Sequence, residues 1–267
     1  MPKMLLEEIK SVEEIAKGIF KFSVFSDYVS KNAKPGQFVN IKCNDDSYVP
    51  LLRRPISIMN VDREKGTFDF VIQVKGIGTE NISKMNARDK IDIMACLGNS
   101  FEISESYKNI AVVGGGIGIF PLLFLINDFN ELNKNIKIDT FLGFRNKDLV
   151  VLENEFKSAS GNLFIATDDG SYGHKGLVTE LLIKEIGESD YDIIYTCGPL
   201  PMIRKVALIA ANNNIKCQVS LEQRMGCGIG ACLVCVCNIK SNDKAHEYKH
   251  VCKDGPVFWA DKIVFED

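Results

Sequence analysis

The chain has 267 residues, 46% of them apolar and 25% charged, with a formal net charge of −3. That length holds two domains with room for a small third, and the composition is ordinary for a globular protein. The near-neutral charge gives neither nucleic acid nor an anionic membrane an electrostatic hold. Residues 1–17 alternate acids and lysines with short apolar stretches and are not expected to be a signal peptide. The longest uncharged run, residues 110–126, is broken by four glycines and Pro121. It falls short of the ~20 apolar residues of a membrane span.

Residues 5–103 read as short strands, at 20–25, 37–41, 56–58 and 67–74, rich in β-branched and aromatic side chains. Pro35-Gly36, Pro50 and Lys65-Gly66 punctuate them, and the spacing predicts an antiparallel barrel. The period then changes. A buried-strand run at 110–113 enters a glycine-rich turn, followed by a helix over 120–130 that tolerates Pro121 in its first turn. Strands are predicted at 136–144, 162–167 and 191–197, and helices at 176–186 and 199–212. This alternation predicts a parallel sheet of nucleotide-binding type. The last fifty residues hold a cysteine loop and little predicted regular structure. The fold class expected is therefore α+β multidomain, divided as 1–103 (barrel), 104–217 (α/β) and 218–267 (cysteine segment).

Nine cysteines make an odd count, and without a secretory signal they read as thiols of a reducing, cytoplasmic compartment. Cys227, Cys232 and Cys235 follow the C-x4-C-x2-C spacing of plant-type 2Fe-2S proteins, with Cys252 after a gap of sixteen residues. Gly226, Gly228, Gly230 and Ala231 let backbone wrap an inorganic core and bring amide N–H groups to its sulfurs. The bland alternative is zinc, held by Cys232, Cys235, His246 and His250. That reading leaves Cys227 and Cys252 idle. Cys237 is expected to face away from Cys235 and to be a small packing residue.

Three further segments carry candidate chemistry. Gly114, Gly115, Gly116 and Gly118 lie between a strand and a helix, where bare backbone and helix N–H groups suit a pyrophosphate. Ile119 stands where the third glycine of G-x-G-x-x-G belongs, so a plain structural turn competes with that reading. Arg54, Pro55, Ile56 and Ser57, with Gly78 and Thr79, fit either a phosphate and flavin-edge site or a surface charge and a turn. Cys197 and Gly198 end a strand, where parallel sheets take ligands, or begin a helix with no further role. Only His174, His246 and His250 are present, and none stands in a nucleophile-and-base arrangement. Redox chemistry carried by cofactors needs no such base.

Taken in order, these segments resemble the electron-transfer subunits of type B dihydroorotate dehydrogenase, within the ferredoxin-NADP reductase superfamily. The likeness runs over nearly the whole chain, and Leu52-Arg-Arg-Pro-Ile-Ser-Ile58, residues 113–118, 166–176, 197–202, 220–225 and 251–258 are its most specific stretches. It implies a flavin-binding β-barrel, a nicotinamide-binding α/β domain and a C-terminal 2Fe-2S segment. Arg54, Pro55, Ile56 and Ser57 match the FAD motif, and Val71, Ile72 and Gln73 a second flavin strand. There the family often has an aromatic and an Arg where this chain has Ile72 and Gln73. Gly78 and Thr79 match the FAD pyrophosphate turn. Gly114, Gly115, Gly116, Gly118, Cys197 and Gly198 match the NAD side, and Cys227, Cys232, Cys235 and Cys252 match the cluster ligands.

The resemblance further implies a separate FMN-containing catalytic subunit that oxidises dihydroorotate in pyrimidine (UMP) biosynthesis. Two copies of each chain would assemble, and electrons would pass through the cluster and FAD to NAD+. No catalytic base or second flavin site is expected in this chain. A rival is the NAD(P)-binding FAD/2Fe-2S subunit of a ferredoxin-dependent NADPH oxidoreductase, where an Asp typically replaces one cluster Cys. A third reading, from another class, is a zinc-bound interaction module.

Overall fold

β1 (Lys3–Ala16) and β2 (Ile19–Phe25) make a hairpin about Gly18, and β3 (Phe38–Ile41), β4 (Arg54–Asp62), β5 (Thr67–Gln73) and β6 (Lys90–Leu97) follow. They close into an antiparallel barrel in the order β1-β2-β5-β4-β3-β6. In this computed structural model the described residues are 2–43, 49–133, 135–241 and 246–265; Met1 of the charged N-terminal segment lies outside them. Alternate residues point inward, as strand geometry requires. Phe22, Phe68, Phe70, Ile41, Ile58, Ile72, Ile91 and Ile93 fill the barrel, with Phe22 and Phe70 stacked at 4.9 Å between ring centroids. β1 and β6 are absent from the sequence reading because acids and lysines alternate with their inward apolar residues. Two short helices also escape it. α1 (Asp27–Asn32) is capped by Ser26, whose Oγ accepts from Val29 N at 3.2 Å, and α2 (Ile77–Ser83) follows β5.

The second sheet starts at β7 (Asn109–Gly115), which passes through a 3₁₀ turn into α3 (Phe120–Leu132), with Pro121 in its first turn. Then come β8 (Lys137–Phe144), α4 (Glu153–Ala159), β9 (Asn162–Thr167), β10 (His174–Lys175), α5 (Val178–Ile186), β11 (Ile193–Cys197), α6 (Leu200–Asn212) and β12 (Lys216–Ser220). The order is β10-β9-β8-β7-β11-β12 and then β15 (Val257–Trp259), parallel except for the last pair. The chain leaves β7 on one side and returns to β11 on the other. The crevice between their carboxyl ends is thus where such a sheet takes a ligand.

The C-terminal segment holds more regular structure than expected. β13 (Val236–Ile239) and β14 (Glu247–His250) form a hairpin, and β15 (Val257–Trp259) adds antiparallel to β12. That pairing covers an otherwise open edge of the large sheet. The expected division at 217/218 falls within β12.

Barrel and sheet are joined by α3 and β4. Arg63 of the barrel's β4–β5 turn pairs with Asp128 at 3.5 Å and Glu131 at 3.3 Å, and Asn127 donates to Asn60 at 3.1 Å. Beyond β6, Tyr195 of β11 donates its hydroxyl to Glu102 O at 2.7 Å. No described helix is long and apolar enough to cross a membrane.

Candidate functional site

Arg53 and Arg54 stand at the start of β4. Arg53 is committed to the protein: it pairs with Asp92 at 2.9 Å and donates to Asn40 O at 3.3 Å and Asp92 O at 3.2 Å. Arg54 donates Nη1 to Leu52 O at 2.6 Å and lays the rest of its guanidinium over bare Gly78. A Cβ on Gly78 would lie 2.5 Å from Arg54 Nε, so that contact requires glycine. Two segments far apart in sequence, Arg54 and Gly78-Thr79, therefore converge. The Thr79 hydroxyl is used inside the turn, donating to Gly76 O at 3.0 Å and accepting from Lys75 N at 3.0 Å.

Pro55, Ile56 and Ser57 are half-buried along β4. At the end of β5, Ile72 points into the barrel core and is 1% exposed, so a ligand outside the barrel meets only its backbone. Val71 packs in the core between barrel and sheet, and Gln73 is half-buried beside it.

The glycine turn after β7 divides into two kinds of position. A Cβ on Gly115 would lie 2.6 Å from Met202 Sδ, and one on Gly118 would lie 2.5 Å from Gly198 Cα. Gly114 is packed less tightly, with Ile119 and Leu122 at 2.9 and 3.0 Å from where a Cβ would be. Gly115 and Gly118 let the β7 and β11 turns interlock, while Gly114 admits Ile119 and Leu122 of its own turn and helix. Gly116 differs: its φ is +54° and nothing lies within 4 Å of where a Cβ would be. It is the glycine with open space in front of it. Across the crevice, Gly198 sits at φ +156° beside Gly115, and burial pushes the Cys197 thiol up to about 12. The structural-turn reading thus holds for Gly115 and Gly118, while Gly116 leaves room in front of the loop.

Cys227 and Cys232 hydrogen-bond through their side chains, as do Cys235 and Cys252. The loop aims its amides at sulfur. Ile229, Ala231 and Cys232 donate N–H to Cys227 Sγ at 3.3–3.4 Å, and Gly230 donates to Cys252 Sγ at 3.1 Å. Burial opposes ionisation of Cys227, yet these donors outweigh it and bring the thiol down to about 6. Burial and the Cys235 side chain push Cys252 up to about 12.

Among the described residues no three His, Cys, Asp or Glu side chains gather about a single ion. Four thiols in two pairs suit a binuclear group, one pair to each metal, better than a lone zinc. His250 is instead tied to Asp254, which accepts its backbone N–H at 2.8 Å, and His246 packs edge-on against Tyr248. Cys237 is half-buried in the same core cluster as Cys235 and is pushed up to about 11 by burial. It packs, as expected, but not on an opposite face: residues two apart in an extended segment share one. The donor set thus fits a 2Fe-2S cluster, Arg54 over Gly78 fits a flavin nucleotide's phosphates, and open Gly116 fits a dinucleotide.

Comparison with known proteins agrees with this geometry. Residues 222–264 match the iron-sulfur cluster binding domain of dihydroorotate dehydrogenase B, and residues 112–207 match the oxidoreductase NAD-binding domain. The electron transfer subunit of dihydroorotate dehydrogenase B (NAD(+)) from Bacillus mycoides (strain KBAB4) is 42% identical over 254 residues, covering 94% of this chain and 95% of that one. This chain belongs to that family. Its relative from Bacillus cereus (strain Q1) is 41% identical over the same shares.

The fold of the family member is equally recognisable. A solved NADH-dependent reduced ferredoxin-NADP oxidoreductase shares 33% identity at a TM-score of 0.86, covering 97% of this chain and 90% of that one. A ferredoxin NADP+ reductase from Neisseria gonorrhoeae, solved with FAD and NADP, has the same fold at 16% identity and a TM-score of 0.65, over 79% and 91% of the two chains. Sequence reasoning missed one residue beside the cysteine loop: Asn40 of β3, which meets Gly228. Only the three-dimensional contact reveals it.

Proposed function

We propose that this chain is the electron-transfer subunit of an NAD-dependent dihydroorotate dehydrogenase of pyrimidine biosynthesis. It carries electrons from an FMN-containing, dihydroorotate-oxidising subunit through a 2Fe-2S cluster and FAD to NAD+. The observation that carries this reading is the placement of four paired thiols, with N–H groups aimed at them, against a barrel that bears Arg54 over Gly78. When bound, the cluster passes single electrons and the flavin exchanges one or two, which lets a one-electron source reduce a hydride acceptor.

Each part of the chain has its task in this reading. Cys227, Cys232, Cys235 and Cys252 hold the cluster, and the loop amides stabilise its sulfurs. Arg54 neutralises flavin phosphate, Gly78 and Thr79 line the pyrophosphate, and Pro55, Ile56, Ser57, Val71, Gln73 and the backbone of Ile72 line the ring system. Gly116 faces the dinucleotide pyrophosphate, Gly114, Gly115 and Gly118 shape that turn, and Cys197 and Gly198 border the nicotinamide. The functional division is 1–103, 104–217 and 218–267, with two copies of each subunit in a cytoplasmic complex.

The rival ferredoxin-dependent NADPH oxidoreductase subunit is favoured by the 33%-identical solved relative. The four cysteines and the higher identity of the dihydroorotate dehydrogenase subunits weigh against it. Co-expression with a dihydroorotate-oxidising FMN protein separates the two. A stable complex in which dihydroorotate reduces NAD+ is expected. A protein that binds no such partner but exchanges electrons between ferredoxin and NADPH would select the rival. A colourless protein with stoichiometric zinc would sink both.

A further inference from the structure

Asn40 is a buried polar residue without a use in the fold. It lies on β3 and is 1% exposed, opposite Pro55 of β4 and Met94 of β6. Its backbone carbonyl accepts from Arg53, but its side-chain amide makes no hydrogen bond among the described residues, and Oδ1 is fully enclosed. Such groups are rare in folded proteins, because burial removes water and nothing replaces it. The amide points at the cysteine loop: a Cβ on Gly228 would stand 2.7 Å from Asn40 Nδ2. Gly228 also holds φ +76°, so glycine both permits the turn and admits the amide. It immediately follows Cys227, whose sulfur already collects three backbone N–H groups.

We propose that Asn40 donates its side-chain N–H to the sulfur shell of the cluster, so that the flavin barrel itself sets the cluster's potential. This rests on the 2Fe-2S reading above. Sulfur in a cluster accepts and does not donate, so Nδ2, the end that faces Gly228, is the donor, and Oδ1 stays enclosed without one. Reduction adds negative charge to the sulfurs, and a donor stabilises that charge, which raises the potential. Asn40 lies on the same outer face of the barrel as Pro55 and Ser57, its neighbours across the β3–β4 pair and along β4. It is therefore a polar point of contact between the barrel and the cysteine loop, beside the apolar contact of Leu97 with Gly228. A potential set there changes if the loop lifts from the barrel.

The test uses the full chain with its bound groups, as Asn40→Leu and Asn40→Asp variants. Anaerobic redox titration followed by electron paramagnetic resonance reads the cluster, and absorbance reads the flavin. Asn40→Leu is expected to lower the cluster midpoint by about 30–60 mV, a three- to tenfold change in the reduced-to-oxidised ratio at 59 mV per tenfold for one electron. Asn40→Asp is expected to lower it further, with iron content, FAD content and flavin potential unchanged in both. An unchanged cluster midpoint in either loaded variant overturns the proposal. So does loss of iron from both variants with FAD retained, since Asn40 would then only anchor the loop. If the wild-type chain itself holds no 2Fe-2S cluster, the reading of the four cysteines fails instead.

Discussion

Arg53 and Arg54 carry the same guanidinium, and their surroundings separate them. Arg53 is closed by Asp92 and two carbonyls, whereas Arg54 turns an edge of its fork over bare Gly78. Arg54→Ala is expected to weaken FAD binding by about 1.5–3 kcal/mol, roughly ten- to a hundredfold, with little loss of fold stability. Arg53→Ala should do the reverse, costing about 1–3 kcal/mol of stability because it leaves Asp92 without its partner. Flavin content and urea denaturation of the two variants check both directions. Cys227 offers a second test. In cluster-free protein its thiolate forms above about pH 6 while Cys252 stays protonated until about 12. Alkylation mapped by mass spectrometry should therefore rise at Cys227 as pH passes 6, ahead of Cys252. Equal labelling at pH 7 would contradict the loop geometry.

At the scale of elements, the two glycine turns act as one joint. Gly118→Ala drives a methyl into the Gly198 backbone and is expected to cost about 1–3 kcal/mol of stability, seen by denaturation, and to weaken NADH binding as the turns part. β7, β8, β9, β11, α3, α5 and α6 were legible because their apolar runs are dense and their turns carry Gly or Pro, whereas the short α4, β10 and β12 were not read. Nor were β1 and β6. Their period-2 pattern is broken by the adjacent pairs Glu7-Glu8 and Glu13-Glu14 and by Lys10 in one strand, and diluted by Lys90 and Asp92 in the other. β15 was hidden for another reason: its pairing with β12 is decided by a bare sheet edge some forty residues away. Among site residues, the cysteine spacing was legible because three of the four thiols, Cys227, Cys232 and Cys235, share one loop. Arg54 and Gly78 were assigned to one flavin site by resemblance, but their direct contact was not foreseen. Asn40 beside Gly228 could not be read, since no local pattern marks a contact between barrel and C-terminal segment.

The proposed electron path is a series, but the packing is not: the cysteine segment lies against the barrel at Gly228 and against the large sheet through β15 on β12, and the barrel meets that sheet through α3. The segment is held at both ends of its loop, by Gly228 beside Asn40 and by the bridge between Asn99 and Pro256. Cutting the series at one member should leave the others working. Cys232→Ser is expected to lose the cluster yet keep FAD and NADH-dependent reduction of a flavin-accepting dye. Loss of both together would mean the segment is needed for the barrel to fold. The most direct test of the relay is anaerobic mixing of dihydroorotate and NAD+ with the purified complex of this chain and an FMN-containing dihydroorotate-oxidising subunit. NADH should form with the wild-type chain and stop with Cys232→Ser while dihydroorotate still reduces the FMN. NADH formation that continues at the wild-type rate without the cluster would contradict it.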